Sequence, residues 1–338
     1  MVLKLNNILK EIDSKYQHTV LKQSIPDWIE PMLATLTSKR FSDENWIYEC
    51  KLDGERCIAF KKTGQVKLLS RNRKDISDTY PEIVDALEKQ KTPDFIIDGE
   101  IVAFQGENTS FTKLQERIGI KNREEALKSK IKVYYYIFDL IYIENYLIEK
   151  LPLILRKELL KKHLTYQDPL RYTEHIWKEG VKYYQEACRK GWEGVIAKRS
   201  DSEYQHKRST DWLKFKCVNQ QEFVILGYTP PKGSRIGLGA ILVGYYDKNK
   251  LMYAGKVGTG FNQNILKKLV KELQSLKQET PVITEKTGEK NVTWVKPQLV
   301  VEVGFTEWTK IGKLRHPRLI GIRRDKNPST VVKETPEA

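Results

Sequence analysis

Lys51 stands in the run Glu49-Cys50-Lys51-Leu52-Asp53-Gly54-Glu55-Arg56, after the short apolar stretch Trp46-Ile47-Tyr48. A lysine at a strand-to-loop junction, followed by a glycine turn and an arginine, suits attack on a phosphorus atom. Its amine is nucleophilic only when deprotonated, so neighbouring cations or desolvation must lower its pKa. A surface Lys–Asp pair in a glycine turn would read the same way, so the rest of the chain must decide. Asp98 and Glu100 flank Gly99 in an apolar run. Strand alternation puts both on one face, ~7 Å apart. Two acids there need a partner, and a nucleotide hydroxyl or a metal would supply one. Glu193 opens Gly194-Val195-Ile196-Ala197-Lys198, where a carboxylate offers oxygen to Mg²⁺. Lys214 and Lys216 alternate with Leu213 and Phe215. Two ammonium groups on one strand face call for an anion such as a triphosphate. Arg71 and Arg73 follow another strand and suit phosphate or DNA. Phe138, beside Asp139, offers a ring for base stacking. A basic cluster, Arg315-His316-Pro317-Arg318 and Arg323-Arg324-Asp325-Lys326, lies near the end.

These residues need a scaffold of short strands. Apolar and alternating runs predict strands at 46–51, 57–62, 66–70, 95–104, 133–143, 194–199 and 212–217. Helices are predicted at 81–89, 111–115, 157–163 and 181–190, the last stopped by Gly191. After residue 218 the character changes. Short β-type runs at 223–228, 240–246, 251–256 and 299–305, broken by glycines and one helix at 262–274, suit a small OB-type barrel. The division is a polar, partly helical leader at 1–24, a mixed α/β domain at 25–217, the barrel at 218–330 and a loose tail at 331–338.

The 338 residues carry a formal net charge of +15, which points to a polyanionic partner. Cys50, Cys57, Cys188 and Cys217 form no Cys-x-x-Cys pair. They read as free thiols of a reducing cytosol, neither a zinc site nor a disulfide framework. No apolar run reaches transmembrane length, and no signal peptide is evident.

Taken in order, the runs Lys51-Leu52-Asp53-Gly54-Glu55-Arg56, Ser70-Arg71-Asn72, Asp98-Gly99-Glu100, Tyr136-Ile137-Phe138-Asp139, Glu193 to Lys198, Trp212 to Lys216 and Arg323 to Lys326 resemble the ATP-dependent DNA ligases of the nucleotidyltransferase superfamily. The likeness covers about residues 26–327. Further runs at 25–36, 235–243, 253–261 and 314–318 look like the ligase domain of bacterial ligase D. Arg324 departs from that pattern, standing where the family usually has an acid.

The resemblance implies an α/β (α+β) nucleotidyltransferase domain followed by an all-β OB-fold barrel. It also implies ATP and Mg²⁺ or Mn²⁺ as cofactors. Nicked or broken duplex DNA would be the substrate, with a Ku-type end-binding protein as a candidate partner and a monomer as the working form. Lys51 would carry AMP. Glu49 would seat the adenine, Phe138 would stack on it, and Leu52 would border it. Arg56 and Glu100 would contact the ribose, and Arg71, Lys214 and Lys216 the phosphates. Glu193, with Glu100 and Asp98, would be the metal ligands. Arg323, Asp325 and Lys326 would close over pyrophosphate, and Arg71, Arg73, Lys256 and Arg315 would meet DNA. An RNA ligase, a GTP-using capping enzyme and a non-catalytic DNA-binding relative are the competing readings.

Overall fold

The computed structural model describes residues 8–231 and 237–335. The first seven residues of the leader, the start of the 235–243 run and the end of the tail lie outside them. The chain forms two compact units, one running to Cys217 and one from Val218 to Thr335.

The first unit is built on two sheets. The larger runs Leu21–Lys22, Tyr146–Leu147, Tyr134–Ile143, Phe95–Val102, Glu55–Lys62 and Gln65–Ser70, all antiparallel, with Leu170–Tyr172 added parallel to Tyr134–Ile143. One face buries Cys57, Ala59, Ile97, Ile101, Tyr135 and Ile137 in a core that also takes Ile83 and Leu87 of the helix Pro81–Glu88 and Leu160 of the helix Leu153–His163. The leader joins this core through Ile8 and Ile12, both buried. Its Leu21–Lys22 strand extends the sheet edge.

The smaller sheet has the order His175–Trp177, Trp46–Cys50, Gly194–Arg199, Arg208–Lys216, Leu33–Leu36. Period-2 alternation divides its side chains. Tyr48, Val195, Ala197 and Phe215 pack with Ala187 of the helix Gly180–Arg189. Trp212, on the opposite face, enters a second core with Ile58, Phe60, Ile96 and Phe138 of the larger sheet. The two sheets therefore pack face to face, and this second core lies between them.

The second unit has strands Lys250–Val257, Ala240–Asp247, Asn219–Thr229 and Thr293–Val295 in sequence across a sheet. Val300–Phe305 also pairs with Asn219–Thr229 and with Arg318–Ile322. The helix Gln263–Ser275, N-capped by Asn262, is part of the unit. The expected OB-type unit is present, but its sheet does not close into a barrel. Among the described residues, the strands Lys250–Val257 and Arg318–Ile322 approach at an isolated bridge between Thr259, just past the first of them, and Arg318, and the helix expected at 262–274 is Gln263–Ser275.

The thiol reading is also corrected. Cys188 and Cys217 form a disulfide across 29 residues of sequence, leaving Cys50 and Cys57 free. The helix Gly180–Arg189 brings its last turn beside the end of the Arg208–Lys216 strand, a proximity that no local spacing encodes.

Arg156 is wholly buried. Its Nε and Nη2 donate to the two Asp139 oxygens at 2.8 and 2.9 Å, and Nη1 donates to Ser202 O at 2.9 Å. Removing one member of such a pair strands the other charge, at a cost of about 3–5 kcal/mol. Arg156→Leu should therefore lower the unfolding free energy obtained from urea titration by that amount, with a matching fall in the midpoint. An unchanged midpoint would mean that Asp139 is neutral or rehydrated.

Candidate active site

Register aligns the chemistry-bearing residues across the smaller sheet. Glu49 pairs with Ile196, and Ile196 with Lys214. One step along, Lys51 N donates to Gly194 O at 3.0 Å, and Gly194 pairs with Lys216. Directly paired residues share a face, as do residues two apart on one strand. Glu49, Lys51, Lys198, Lys214 and Lys216 thus lie on the face turned toward the larger sheet. Gly194 stands in the middle of the Lys51–Lys216 row with φ +153°, and a Cβ there would lie 2.1 Å from Phe215 O. A glycine keeps the row open.

The Lys51 ammonium forms an ion pair with Glu193 Oε1, both groups being largely shielded. The turn after Lys51 is held from below. Asp53 Oδ2 accepts from Phe111 N at 2.9 Å, and Thr109 Oγ1 accepts from Asp53 N at 3.1 Å. Asp53 is thus a structural anchor, and Leu52 lies half-buried in the same turn.

Glu49 is 1% exposed. Lys157 Nζ lies 2.5 Å from its Oε1 and Lys198 Nζ 2.6 Å from its Oε2. Burial pushes the Glu49 carboxyl up, but Lys157 and then Lys198 outweigh it and hold the group below its ordinary range. Burial also pulls Lys198 down to about 8, against the attraction of Glu49. His175, paired opposite Glu49, is lowered by burial and by Lys157.

Across from this sheet stand Arg56, Asp98, Glu100 and Phe138. Arg56 pairs directly with Glu100, and alternation does put Asp98 and Glu100 on one face. The expectation of Asp98 as a metal ligand is corrected. Asp98 is fully buried, and its oxygens accept from Arg56 Nε and Nη2, both at 2.5 Å, and from Tyr204 Oη at 2.6 Å. It is the counter-ion of Arg56, whose fork is thereby occupied. Phe138 is buried, with the Arg56 guanidinium 4.6 Å and Lys198 Nζ 4.1 Å from its ring centre. An aromatic ring beneath two cations is a favourable arrangement, and it surrounds the expected base-stacking ring with charge.

Glu193 and Glu100 remain as candidate metal ligands. Among the described residues no group of three His, Cys, Asp or Glu forms a ready cage. That donor set fits a cation of the Mg²⁺ kind, which takes one or two carboxylates and fills its other positions with phosphate oxygens and water.

Other candidates lie elsewhere. Arg71 sits in the turn after Gln65–Ser70, and Arg73, at φ +60°, lies 6.0 Å from the Trp28 ring. Within the second unit, Arg323 is buried, donating to Asp325 at 2.8 and 2.9 Å and to Glu302 at 2.9 Å. Lys326 pairs with Glu222, Lys256 with Glu289 and Arg315 with Glu307. The last two pairs are solvent-facing and weak, so an incoming phosphate can displace the acid. The buried Arg323 triad is structural as seen. Lys157 is the residue that sequence reading missed. Its signal was a lysine spaced one turn from Leu153 and Leu160 on an apolar helix face.

Glu49 supplies a pH test. Its folded pKa lies below the unfolded value of 4.5. Its stabilising share is therefore complete above pH 4.5 and is lost as the pH falls through the folded value. Lys157→Met should cost about 3 kcal/mol near neutrality. In urea unfolding the gap to the parent chain should narrow as the pH drops below 4.5, because the carboxylate protonates. A gap that is constant with pH would mean that the ion pair is not what the substitution removes.

The family described as ATP dependent DNA ligase domain matches residues 31–216, and the ATP dependent DNA ligase C terminal region matches residues 234–326. A multifunctional non-homologous end joining protein LigD of Pseudomonas aeruginosa is 37% identical over 93% of this chain and 38% of its own length. The corresponding Mycobacterium tuberculosis protein is 35% identical over 91% of this chain and 40% of its own. The chain thus spans about two fifths of the length of these relatives. A solved structure, mycobacterial DNA ligase D complexed with ATP and MES, superimposes with TM-score 0.65 at 31% identity, covering 90% of this chain and 98% of that one. With its row of lysines and carboxylates where those matches run, the chain belongs to the ATP-dependent DNA ligase family.

Proposed function

We propose that this chain joins a 5′-phosphate to a 3′-hydroxyl in duplex DNA through an AMP carried on Lys51. The observation that carries the reading is the row Lys51–Gly194–Lys216, with Glu193 paired to Lys51. A nucleophilic amine and anion-binding ammonium groups share one face.

Three displacements follow. The Lys51 amine attacks the α-phosphorus of ATP. An N–P bond forms, the bond to pyrophosphate breaks, and the amine sheds a proton. An oxygen of the DNA 5′-phosphate then attacks the same phosphorus, and Lys51 leaves. Finally the 3′-hydroxyl loses its proton and attacks the activated 5′-phosphate; the new O–P bond forms as the bond to AMP breaks, and AMP leaves with the bonding pair. Lys214 and Lys216 meet the α-phosphate as its charge grows. Glu193 stabilises the Lys51 ammonium while they are paired, so separation of the pair favours the reactive neutral amine. A divalent cation, Mg²⁺ or Mn²⁺, supplies charge neutralisation on phosphate oxygens when bound, with Glu193 and Glu100 the carboxylates that would hold it. Glu49 accepts from the adenine amino group, and Phe138 and Arg56 border the base and ribose.

The relatives named for non-homologous end joining support action at broken ends. A Ku-type end-binding protein is the partner that such work calls for, in a bacterial cytosol. A monomer is taken as the working form. The +15 charge supports DNA as the substrate.

A labelled nicked duplex tests the reading. The parent chain should seal it with ATP and Mg²⁺, and Lys51→Ala should not. Lys216→Ala should slow label uptake from ATP about a hundredfold, the usual loss for one preorganised contact. Wild-type uptake in Lys216→Ala would remove the shared-face argument. Duplex affinity should fall by ~0.9 log units per phosphate contact for each tenfold rise in salt. A flat salt response would point to a substrate other than DNA.

A further inference from the structure

The same face of the larger sheet holds a second concave site, away from Lys51. Arg56, Glu100, Tyr136 and Arg171 pair in a straight row across four strands. Arg171 therefore stands two strand spacings, ~10 Å, from Glu100. There a cavity of about 460 Å³ opens, lined by Phe104, Tyr134, Arg171, Lys113, Lys130 and Lys132 among others. The Arg171 guanidinium lies 4.0 Å from the Tyr134 ring centre and 5.8 Å from that of Phe104. It is held by Asp168, which accepts from Nε at 2.9 Å, and by Tyr136 Oη, which accepts from Nη1 at 2.9 Å. Lys130 and Lys132 are exposed on the rim.

We propose that this cavity binds one unpaired nucleotide of a DNA strand at the break being joined. The inference rests on the ligase reading. A planar guanidinium braced over aromatic rings offers a stacking surface for any base, which suits single strands. Lysines on the rim suit the adjoining phosphate. A duplex backbone needs cations alone and would gain nothing from an aromatic-lined hollow of single-nucleotide size. The cavity distinguishes a frayed or overhanging end from a fully paired nick, because only the former has a base to offer.

The test uses the full chain, a fluorescent oligothymidylate, a fully paired nicked duplex and a break with short 3′ overhangs. The variants are Lys130→Ala/Lys132→Ala and Tyr134→Leu. The lysine pair is at the surface, so folding is not at stake. Each variant should bind the oligothymidylate at least about fivefold more weakly, the lower range for one stacked base. Each should join overhanging ends correspondingly less well, while nick sealing and label uptake from ATP change less than threefold. Unchanged oligothymidylate binding overturns the proposal, and so does an equal loss on nick and overhang. A parent chain that takes no label from ATP refutes the ligase reading and takes this proposal with it. A parent that seals nicks while both variants bind like it refutes the proposal alone.

Discussion

A carboxylate with almost no contact with water organises the first unit. Glu49 lies on the Trp46–Cys50 strand, and its two oxygens are matched by ammonium groups from a helix and from the neighbouring central strand Gly194–Arg199. One carboxylate between two buried ammonium groups leaves one cation in excess, and burial lowers the Lys198 ammonium accordingly. Lys157 also donates to Thr173 O at 3.0 Å. The pairs therefore fix the Leu153–His163 helix, the segment after Leu170–Tyr172 and both strands in one arrangement. Lys51 is two residues on, just past the end of that strand, and its backbone bond to Gly194 continues the register that places it beside Glu193 and Lys216.

The opposing sheet meets the same constraint with Arg56 and Asp98. Between the two sheets the Phe138 ring lies beneath one cation from each side. A pocket so rich in fixed charge and short of water is suited to a polar nucleotide, because its dipoles are oriented before the ligand arrives.

Much of this was legible in the sequence. Alternation in Trp212–Lys216 correctly places Lys214 and Lys216 on one face, and glycine with alternating apolar residues locates most strands. What stayed hidden was partnership across long separations. Asp98 reads as a lone acid seeking a metal because Arg56 is 42 positions away, and Tyr204 is 106. Cys188 and Cys217 read as free because their approach depends on how a helix packs. Lys157 reads as the start of a helix, whereas the helix begins at Leu153 and the lysine lies inside, facing Glu49. Arg323 reads as a phosphate contact, yet two buried acids hold it. Chemical type and period are written locally; the pairing of buried charges is a property of the assembled fold.

The central proposal is that, of the fifty-nine lysines and arginines, Lys51 alone becomes covalently nucleotidylated. Peptide mapping by mass spectrometry after incubation with ATP and Mg²⁺, without DNA, tests it directly. The account predicts a single adenylate, on the peptide containing Lys51 and on its side-chain nitrogen. An adenylate on Lys214, Lys216 or Lys198, or an unmodified chain under conditions where the protein binds ATP, would contradict it.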